Sequence, residues 1–256
     1  MSNQPLTSVI CAVWNQDPKR HDLLRGHLAN LAAQTRPVHA VYVFDNGDMP
    51  PADLFGAAGK THGACTTETV IASSALSIYE AWNLALAAVR TPFVMNLNLD
   101  DRLCTDTVAY YEQAVQGQNV GLVGGDWRIC YTQSDTDAVG PCIPATDLPF
   151  SPDWPPMPGR VTRLGSGTGE RGTNGPACIW PMAIHTRLPR YPYRTPDGTL
   201  LRGISDSVFW SLIDRLQLQR VRLPLIVGHY FSHPGEQAEF RHLGEQALLA
   251  NGVSMI

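Results

Sequence analysis

The sequence predicts an α/β fold in which helices cover both faces of a mostly parallel central sheet. Three observations support this prediction. Short apolar runs alternate with amphipathic stretches at helical spacing, turn signals separate them, and acidic or amide side chains follow several of the runs. In such a fold the apolar runs become buried strands, and ligands bind beyond the carboxyl ends of those strands.

The first half of the chain shows the alternation most clearly. Ser77 is placed to cap a helix, and Asp45-Asn46-Gly47 is a strong turn signal after an apolar run. The predicted strands are 8–14, 40–44, 70–72, 92–97 and 120–123, and the predicted helices are 19–34, 77–90 and 105–116.

The second half is less regular. Residues 141–158 hold seven prolines, which exclude a helix or a central strand, and residues 165–175 hold five glycines. Regular structure is predicted again for 178–184, for a helix at 207–218, for a strand at 221–227 and for a closing helix at 235–250. Because no long flexible linker separates the halves, we predict one domain over 1–256 whose halves, 1–125 and 126–256, share one sheet.

Composition excludes several classes of protein. The 256 residues include 19 basic and 23 acidic side chains, a net charge of −4, so a basic surface for nucleic acid or for a polybasic membrane contact is not expected. No apolar stretch approaches the roughly 18 residues of a membrane span, and no secretory signal is recognisable. The six cysteines form no C-x-x-C pair. We therefore expect a cytoplasmic protein with reduced thiols.

A letter-for-letter match to the dinucleotide-binding motif G-x-G-x-x-G runs from Gly167 to Gly172. The motif binds pyrophosphate only where a strand leads into it and a helix leaves it, because the amides of that helix point at the phosphates. Thr-Asn-Gly-Pro follows here and cannot begin a helix in the required register. The dinucleotide interpretation is rejected in favour of a glycine-rich loop, of the kind that can order over a bound ligand.

The most informative cluster is Asn98-Leu99-Asp100-Asp101, which follows an apolar strand. Two adjacent carboxylates repel each other unless a cation or hydrogen-bond donors compensate, and a hard ion such as Mg²⁺ or Mn²⁺ accepts one or two carboxylates beside substrate phosphates. Asn15 and Asp45 each follow an earlier strand, so these polar residues and the Asn98–Asp101 cluster are expected at one rim of the sheet. The alternative is that each of them only caps or turns the chain.

These residues, with others along the chain, resemble the family-2 glycosyltransferases, which have the GT-A fold. The resemblance covers most of the chain in the family's order and spacing, and it is most specific at 8–48 and 77–103. The matching segments are SVICAVWNQ (8–16) with Gln34-Thr35, VYVFDNGD (41–48), SIYEAWNLALAAVRTPFVMNLNLDDRL (77–103), GISDSVFWSLID (203–214) and GHYFSHPGE (228–236).

The resemblance implies a GT-A-like, Rossmann-type αβα sandwich with a mostly parallel central sheet. Its first half would bind a nucleotide sugar and its second half an acceptor. It implies an inverting, hexosyltransferase-type enzyme that moves a sugar from a nucleoside-diphosphate donor, most simply a UDP-sugar, to a saccharide or other hydroxyl acceptor in polysaccharide or glycoconjugate synthesis. The implied roles are donor binding by Asn15, Asp45, Asn83, Asn98 and Asp100, binding of Mn²⁺ or Mg²⁺ by Asp100, Asp101 and His233, and general-base catalysis by Asp206.

Two departures from the family pattern bear on the donor site. Asn98 stands where the first acidic residue of the metal motif is expected, and Trp82 stands where many relatives have an arginine that can contact phosphate. Asp206 also precedes an amphipathic helix, where an aspartate is a good N-cap without any catalytic role.

Two other functions stay open. A sugar-phosphate nucleotidyltransferase would share the architecture, but it needs a glycine-rich loop and a lysine after the first strand, and CAVWNQD (11–17) has neither. A catalytically degenerate nucleotide-sugar-binding module would explain Asn98, although Asp100 and Asp206 are both retained.

Overall fold

The structure of the chain is a computed structural model that describes residues 4–14, 17, 19–55, 61–151, 157–163, 177–195, 198–201, 205–233 and 235. The strands are β1 Thr7–Val13, β2 Val38–Phe44, β3 Thr61–His62, β4 Cys65–Ile71, β5 Phe93–Asn96, β6 Arg102–Leu103, β7 Val120–Cys130, β8 Ile143–Pro144, β9 Val161–Arg163, β10 Ile179–Pro181 and β11 Gln219–Phe231. The helices are α1 Arg20–Ala32, α2 Ala52–Phe55, α3 Ile78–Ala88, α4 Thr107–Val115, α5 Gln133–Asp137 and α6 Ser205–Arg215, and single 3₁₀ turns occupy Ala145–Asp147 and Met182–Thr186.

These strands form one sheet with the order β3-β4-β2-β1-β5-β10-β7-β11-β6, while β8 pairs with β11 and β9 with β7. Strands β4, β2, β1 and β5 pair with one another in parallel in that order, and β7 and β11 also form a parallel pair. Because β10 is antiparallel to both β5 and β7, all six of these strands run in the same direction. The prediction of a mostly parallel sheet is confirmed, and strands from both halves of the chain join it.

Helices cover both faces of this sheet, as the αβα sandwich requires. Successive residues of a strand point to opposite faces, so Val9 and Ile10 of β1 belong to two different apolar clusters. On the Val9 face the sheet packs against α1 and α4, and on the Ile10 face it packs against α3 and α6. The side chains that these helices bury include Leu24, Leu28, Leu31, Val108 and Tyr111 on the first face, and Trp82, Leu86, Phe209, Trp210 and Ile213 on the second.

Helix α3 begins as its sequence predicts. The Ser77 hydroxyl accepts a hydrogen bond from the Glu80 amide at 3.3 Å, and the Glu80 carboxylate accepts one from the Ser77 amide at 2.8 Å. This reciprocal capping box satisfies two amides that the helix itself leaves without a partner. The capping role predicted for Ser77 is confirmed.

The two strands β7 and β11 are longer than predicted. The Gly124-Gly125 pair interrupts the β-rich pattern of the sequence, but its backbone pairs with Arg222 and Leu223 of β11. A Cβ atom at Gly125 would lie 2.4 Å from Val227, so only glycine allows this close approach. Pro224 interrupts the pattern of β11 in the same way, and the structure accommodates it where the register of the β7–β11 ladder shifts.

The other expectations are mostly met within the described residues. Helix α6 begins at Ser205 rather than at 207, and the described part of the proline-rich segment, 141–151 with 157 and 158, contributes only the two-residue strand β8 and a 3₁₀ turn. The glycine-rich loop and the closing helix, except Gly235, lie outside the described residues. All six cysteines are free, as predicted. None of the helices in the described residues is both long enough and apolar enough to cross a membrane.

Candidate active site

The predicted site residues follow strands that end at one edge of the sheet. The carboxyl ends of β2, β1 and β5 lie side by side because these strands are paired in parallel. The amino terminus of α6 also lies at this edge, because its other end leads through only three residues into the start of β11. Asp45, the turn at residues 98–101 and Asp206 therefore share the edge at which parallel α/β sheets bind ligands.

Asp45 follows β2 and is only 6% exposed. Its Oδ2 atom accepts a hydrogen bond from the Leu76 amide at 3.2 Å, while Oδ1 is buried and has no hydrogen-bond partner among the residues that the structure describes. The backbone of the turn is fixed by bonds from the Asn46 amide to Ser74 and from the Gly47 amide to Ala72. A buried carboxylate oxygen without a donor is costly unless a ligand supplies one, so Oδ1 marks a candidate ligand contact.

The second polar turn follows β5. The Oδ1 atom of Asn98 is also buried and without a hydrogen-bond partner in the described part of the chain. The Asp101 amide donates to the Asn98 carbonyl at 3.3 Å and closes the turn. Asp101 is fully buried and accepts a hydrogen bond from the Phe231 amide at 3.0 Å, whereas the Asp100 side chain is only partly buried. Asp100 is therefore the more accessible carboxylate of the pair.

The predicted metal ligands are only partly brought together. Asp100 and Asp101 are adjacent, but no three His, Cys, Asp or Glu side chains of the described residues are placed to hold an ion together, so His233 does not complete a three-residue site. Its imidazole instead packs edge-on against Tyr131, with ring centroids 5.5 Å apart, and its Nδ1 accepts a bond from the Gly235 amide at 3.1 Å. The two carboxylates still fit an ion of the Mg²⁺ type, which takes one or two carboxylates and completes its shell with water and substrate phosphates.

Asp206 is the second residue of α6, so it lies inside the first helical turn and is not the N-cap that its sequence position suggested. Its side chain is partly buried beside an aromatic cluster that includes Tyr191 and Phe209, whose rings are 4.8 Å apart. Burial and then the negative charge of Asp206 raise the pKa of the Tyr191 phenol. The first turn of a helix favours the ionised carboxylate, as a general base requires.

Asn83 is used within the fold rather than left open at the edge. Its side-chain amide donates to the Tyr191 carbonyl at 2.8 Å, and its Oδ1 accepts from the Tyr191 amide at 2.9 Å. Both polar atoms of Asn83 therefore hold the segment around Tyr191 against α3. The donor-binding role of Asn83 stays a prediction, and Asn15 lies outside the described residues.

Replacing Asn83 by alanine should lower the free energy of unfolding by about 2 kcal/mol, because the buried amide and carbonyl of Tyr191 both lose their bonds to the Asn83 side chain. Denaturant titration measures this change. Leu84→Ala on the same helix is the control, since Leu84 is 39% exposed and its loss should have a small effect. Unchanged stability together with weaker nucleotide binding would instead assign Asn83 to the ligand.

The tryptophans divide between core and edge. Trp82, Trp127, Trp180 and Trp210 are all buried in the core. Trp14 is 55% exposed where β1 ends at the candidate site. Trp14 was not among the predicted site residues, although a tryptophan directly before Asn15 at a strand end is a signal for this position.

Comparisons with solved structures identify proteins that share this fold. No family model matches the chain, and no curated protein matches it. Its structure is similar to that of the Pyrobaculum calidifontis mannosyltransferase PcManGT in complex with GDP-Man and Mn²⁺, with a TM-score of 0.55, 17% identity and coverage of 89% of this chain and 57% of that one. It is also similar to S. aureus TarS 1-349 in complex with UDP, with a TM-score of 0.61, 15% identity and coverage of 89% and 61%.

The complex of TarS 1-349 with UDP-GlcNAc gives a TM-score of 0.60, 14% identity and coverage of 90% of this chain and 61% of that one. The chain thus spans about three fifths of the length of these solved structures. The mixed sheet, the helices on both faces and these similarities together show that the chain has the GT-A-like fold of glycosyltransferases.

Proposed function

We propose that this protein is a metal-dependent glycosyltransferase that moves a sugar from a nucleoside-diphosphate donor to a hydroxyl acceptor. The observation that supports the proposal most is the shared sheet edge, where Asp45, the Asn98–Asp101 turn and the start of α6 lie in a GT-A-like fold. Of the bound molecules named for the similar structures, GDP-Man and UDP-GlcNAc belong to the proposed class of donor, and UDP is the nucleoside diphosphate that a UDP-sugar would release.

The nucleoside part of the donor would bind at the ends of β1 and β2. The unsatisfied Oδ1 of Asp45 is suited to accept a hydrogen bond from a base N–H or a ribose hydroxyl. The exposed ring of Trp14 offers an apolar face on which a base can stack. The buried Oδ1 of Asn98 also has no hydrogen-bond partner among the described residues, and it would accept a hydrogen bond from a ribose hydroxyl. An amide can serve in this position because a hydroxyl donor needs only an oxygen acceptor.

Asp100 and Asp101 would hold a Mn²⁺ or Mg²⁺ ion beside the donor diphosphate. When bound, the ion supplies Lewis-acid stabilisation of the charge that develops on the leaving nucleoside diphosphate. The partly buried Asp100 would bind it directly. Asp101 is buried and has one oxygen bonded to the Phe231 amide, so it would contribute negative charge and fix the turn.

Asp206 would remove the proton from the attacking acceptor hydroxyl. Asp206 is only partly buried, so a ligand can reach it, and the first turn of α6 is a position that favours negative charge. Direct attack on the anomeric carbon, with Asp206 accepting the proton, inverts the configuration of that carbon. The acceptor would be a saccharide or another hydroxyl compound.

Thermal unfolding with a panel of UDP- and GDP-sugars, each with and without Mn²⁺, tests the proposed donor class. A donor present at about 100 times its dissociation constant stabilises the folded state by about 2.7 kcal/mol, which corresponds to a rise in Tm of about 5–10 °C for a chain of this size. We expect one nucleotide sugar to give such a shift in Mn²⁺ and a much smaller one in EDTA. Absence of any shift across the panel would contradict the proposal.

Product analysis separates the alternatives. A glycosyltransferase releases a nucleoside diphosphate from the nucleotide sugar, whereas a sugar-phosphate nucleotidyltransferase releases pyrophosphate from a nucleoside triphosphate and a sugar phosphate. A binding module without activity would give the thermal shift but neither product, even with Mn²⁺ and a panel of saccharide acceptors.

A further inference from the structure

Arg102 directly follows the aspartate pair and is only 2% exposed. A buried guanidinium is costly unless its charge and its N–H groups are matched by partners. Its Nη1 atom donates to the carbonyls of Leu99 and Asp101, both at 2.8 Å, and its Nε atom lies 2.7 Å from an Asp137 carboxylate oxygen. The side chain therefore joins the turn that carries the two carboxylates to the end of α5.

Helix α5 contacts the same turn a second time. The Gln133 side-chain amide donates to the Asp100 carbonyl at 3.2 Å. The carbonyls of residues 99, 100 and 101 thus all accept side-chain N–H groups, two from Arg102 and one from α5. Three bonded carbonyls in succession fix the backbone from which the Asp100 and Asp101 side chains project.

Helix α1 contacts Arg102 and the residues that directly follow it. Gly26 provides the space, because a Cβ atom there would lie 2.3 Å from Arg102 Nη2. Four residues later the Asn30 side chain bonds both the carbonyl and the amide of Leu103, at 2.8 and 2.9 Å. Just beyond the end of α1, the Gln34 side-chain amide donates to the Cys104 carbonyl at 3.0 Å. One face of α1 is therefore shaped to accommodate Arg102 and to bind the backbone that follows it.

The charge of Arg102 also matters for the aspartate pair. It is a buried cation whose bonded carbonyls belong to the same turn as the two carboxylates, so it offsets part of their mutual repulsion. Neighbouring His27 adds no second positive charge, because burial and then Arg102 lower its pKa to about 3.

We propose that Arg102 is the positioning residue of this site: through the Leu99 and Asp101 carbonyls and the Asp137 carboxylate it holds the Asn98–Asp101 turn in the shape that binds the donor diphosphate. It acts through the turn and through α5 without touching the ligand. That the ligand is a donor diphosphate rests on the proposed function, whereas the role of Arg102 in holding the turn does not.

Arg102→Lys and Asp137→Asn test the proposal. A lysine keeps the charge, but its single ammonium cannot reproduce the planar set of bonds to two carbonyls and a carboxylate. Asp137 has a side chain that is 48% exposed, so its replacement should leave folding intact if Arg102→Lys does not fold. Calorimetry with UDP and GDP in Mn²⁺ should show affinity lower by about tenfold for Arg102→Lys, and lower by a smaller factor for Asp137→Asn.

Amide hydrogen exchange of residues 98–103 supplies a readout that needs no ligand. Exchange should be faster in both variants, and unchanged in Arg25→Lys, a control on α1 whose ion pair with Asp53 is exposed. Unchanged exchange and affinity in both variants would overturn the role of Arg102. A wild-type protein that binds no nucleotide would instead overturn the proposed function.

Discussion

Asp206→Asn should lower the rate of sugar transfer by about two orders of magnitude or more while leaving nucleoside diphosphate affinity nearly unchanged. An asparagine has a similar shape and still bonds a hydroxyl, but it cannot accept the proton of the attacking acceptor. Because Asp206 lies inside the first turn of α6 and does not cap it, the substitution should cost the helix only a few tenths of a kcal/mol through the lost charge.

The measurement is the rate of nucleoside diphosphate release in saturating donor and acceptor, with calorimetric binding of the diphosphate alongside. Asp214→Asn is a matched control, since it changes an aspartate near the other end of the same helix, 44% exposed and paired with Arg220. Transfer by Asp206→Asn at close to the wild-type rate would show that the residue has no base role and that another group removes the proton.

The second large effect is expected from loss of the metal. Affinity for a nucleoside diphosphate should fall about tenfold or more in EDTA, because the two phosphates then meet Asp100 and Asp101 without an intervening cation. Asp100→Ala should likewise lower the nucleoside diphosphate affinity measured in Mn²⁺, and this affinity should then change less when EDTA is added. Asp53→Asn, an exposed aspartate paired with Arg25, should behave as wild type.

Calorimetry of UDP and GDP binding with and without Mn²⁺ makes this measurement, and the parent nucleosides provide a ligand control because they carry no phosphate. Equal diphosphate affinity in Mn²⁺ and EDTA would contradict metal binding at this turn. Asp101→Ala should differ from Asp100→Ala by lowering stability as well, since the buried Phe231 amide then loses its acceptor.

Local sequence patterns were sufficient to predict the architecture. Apolar runs, helical spacing and turn residues gave the parallel strands and the helices on both faces, and Ser77 gave the start of α3. The same reasoning put Asp45 and the Asn98–Asp101 turn at the carboxyl edge, because a residue that follows a parallel strand must lie there. The approximate positions of these elements depend on neighbours within a few residues, so local sequence carries their signal, although the full lengths of β7 and β11 were not predicted.

Other features were decided only by tertiary contacts between distant residues. The Phe231 amide, 130 positions after Asp101, makes Asp101 the buried carboxylate and leaves Asp100 the accessible one. The backbone of Tyr191, 108 positions after Asn83, bonds the Asn83 side-chain amide, to which the family resemblance assigned a role in donor binding. The bonds of Arg102 to the turn are local. Its charge, however, is balanced by Asp137 on α5, and Gly26 on α1 leaves room for its side chain. Periodicity carries no information on which side chains meet across a sheet, since such contacts follow from the packing of whole elements.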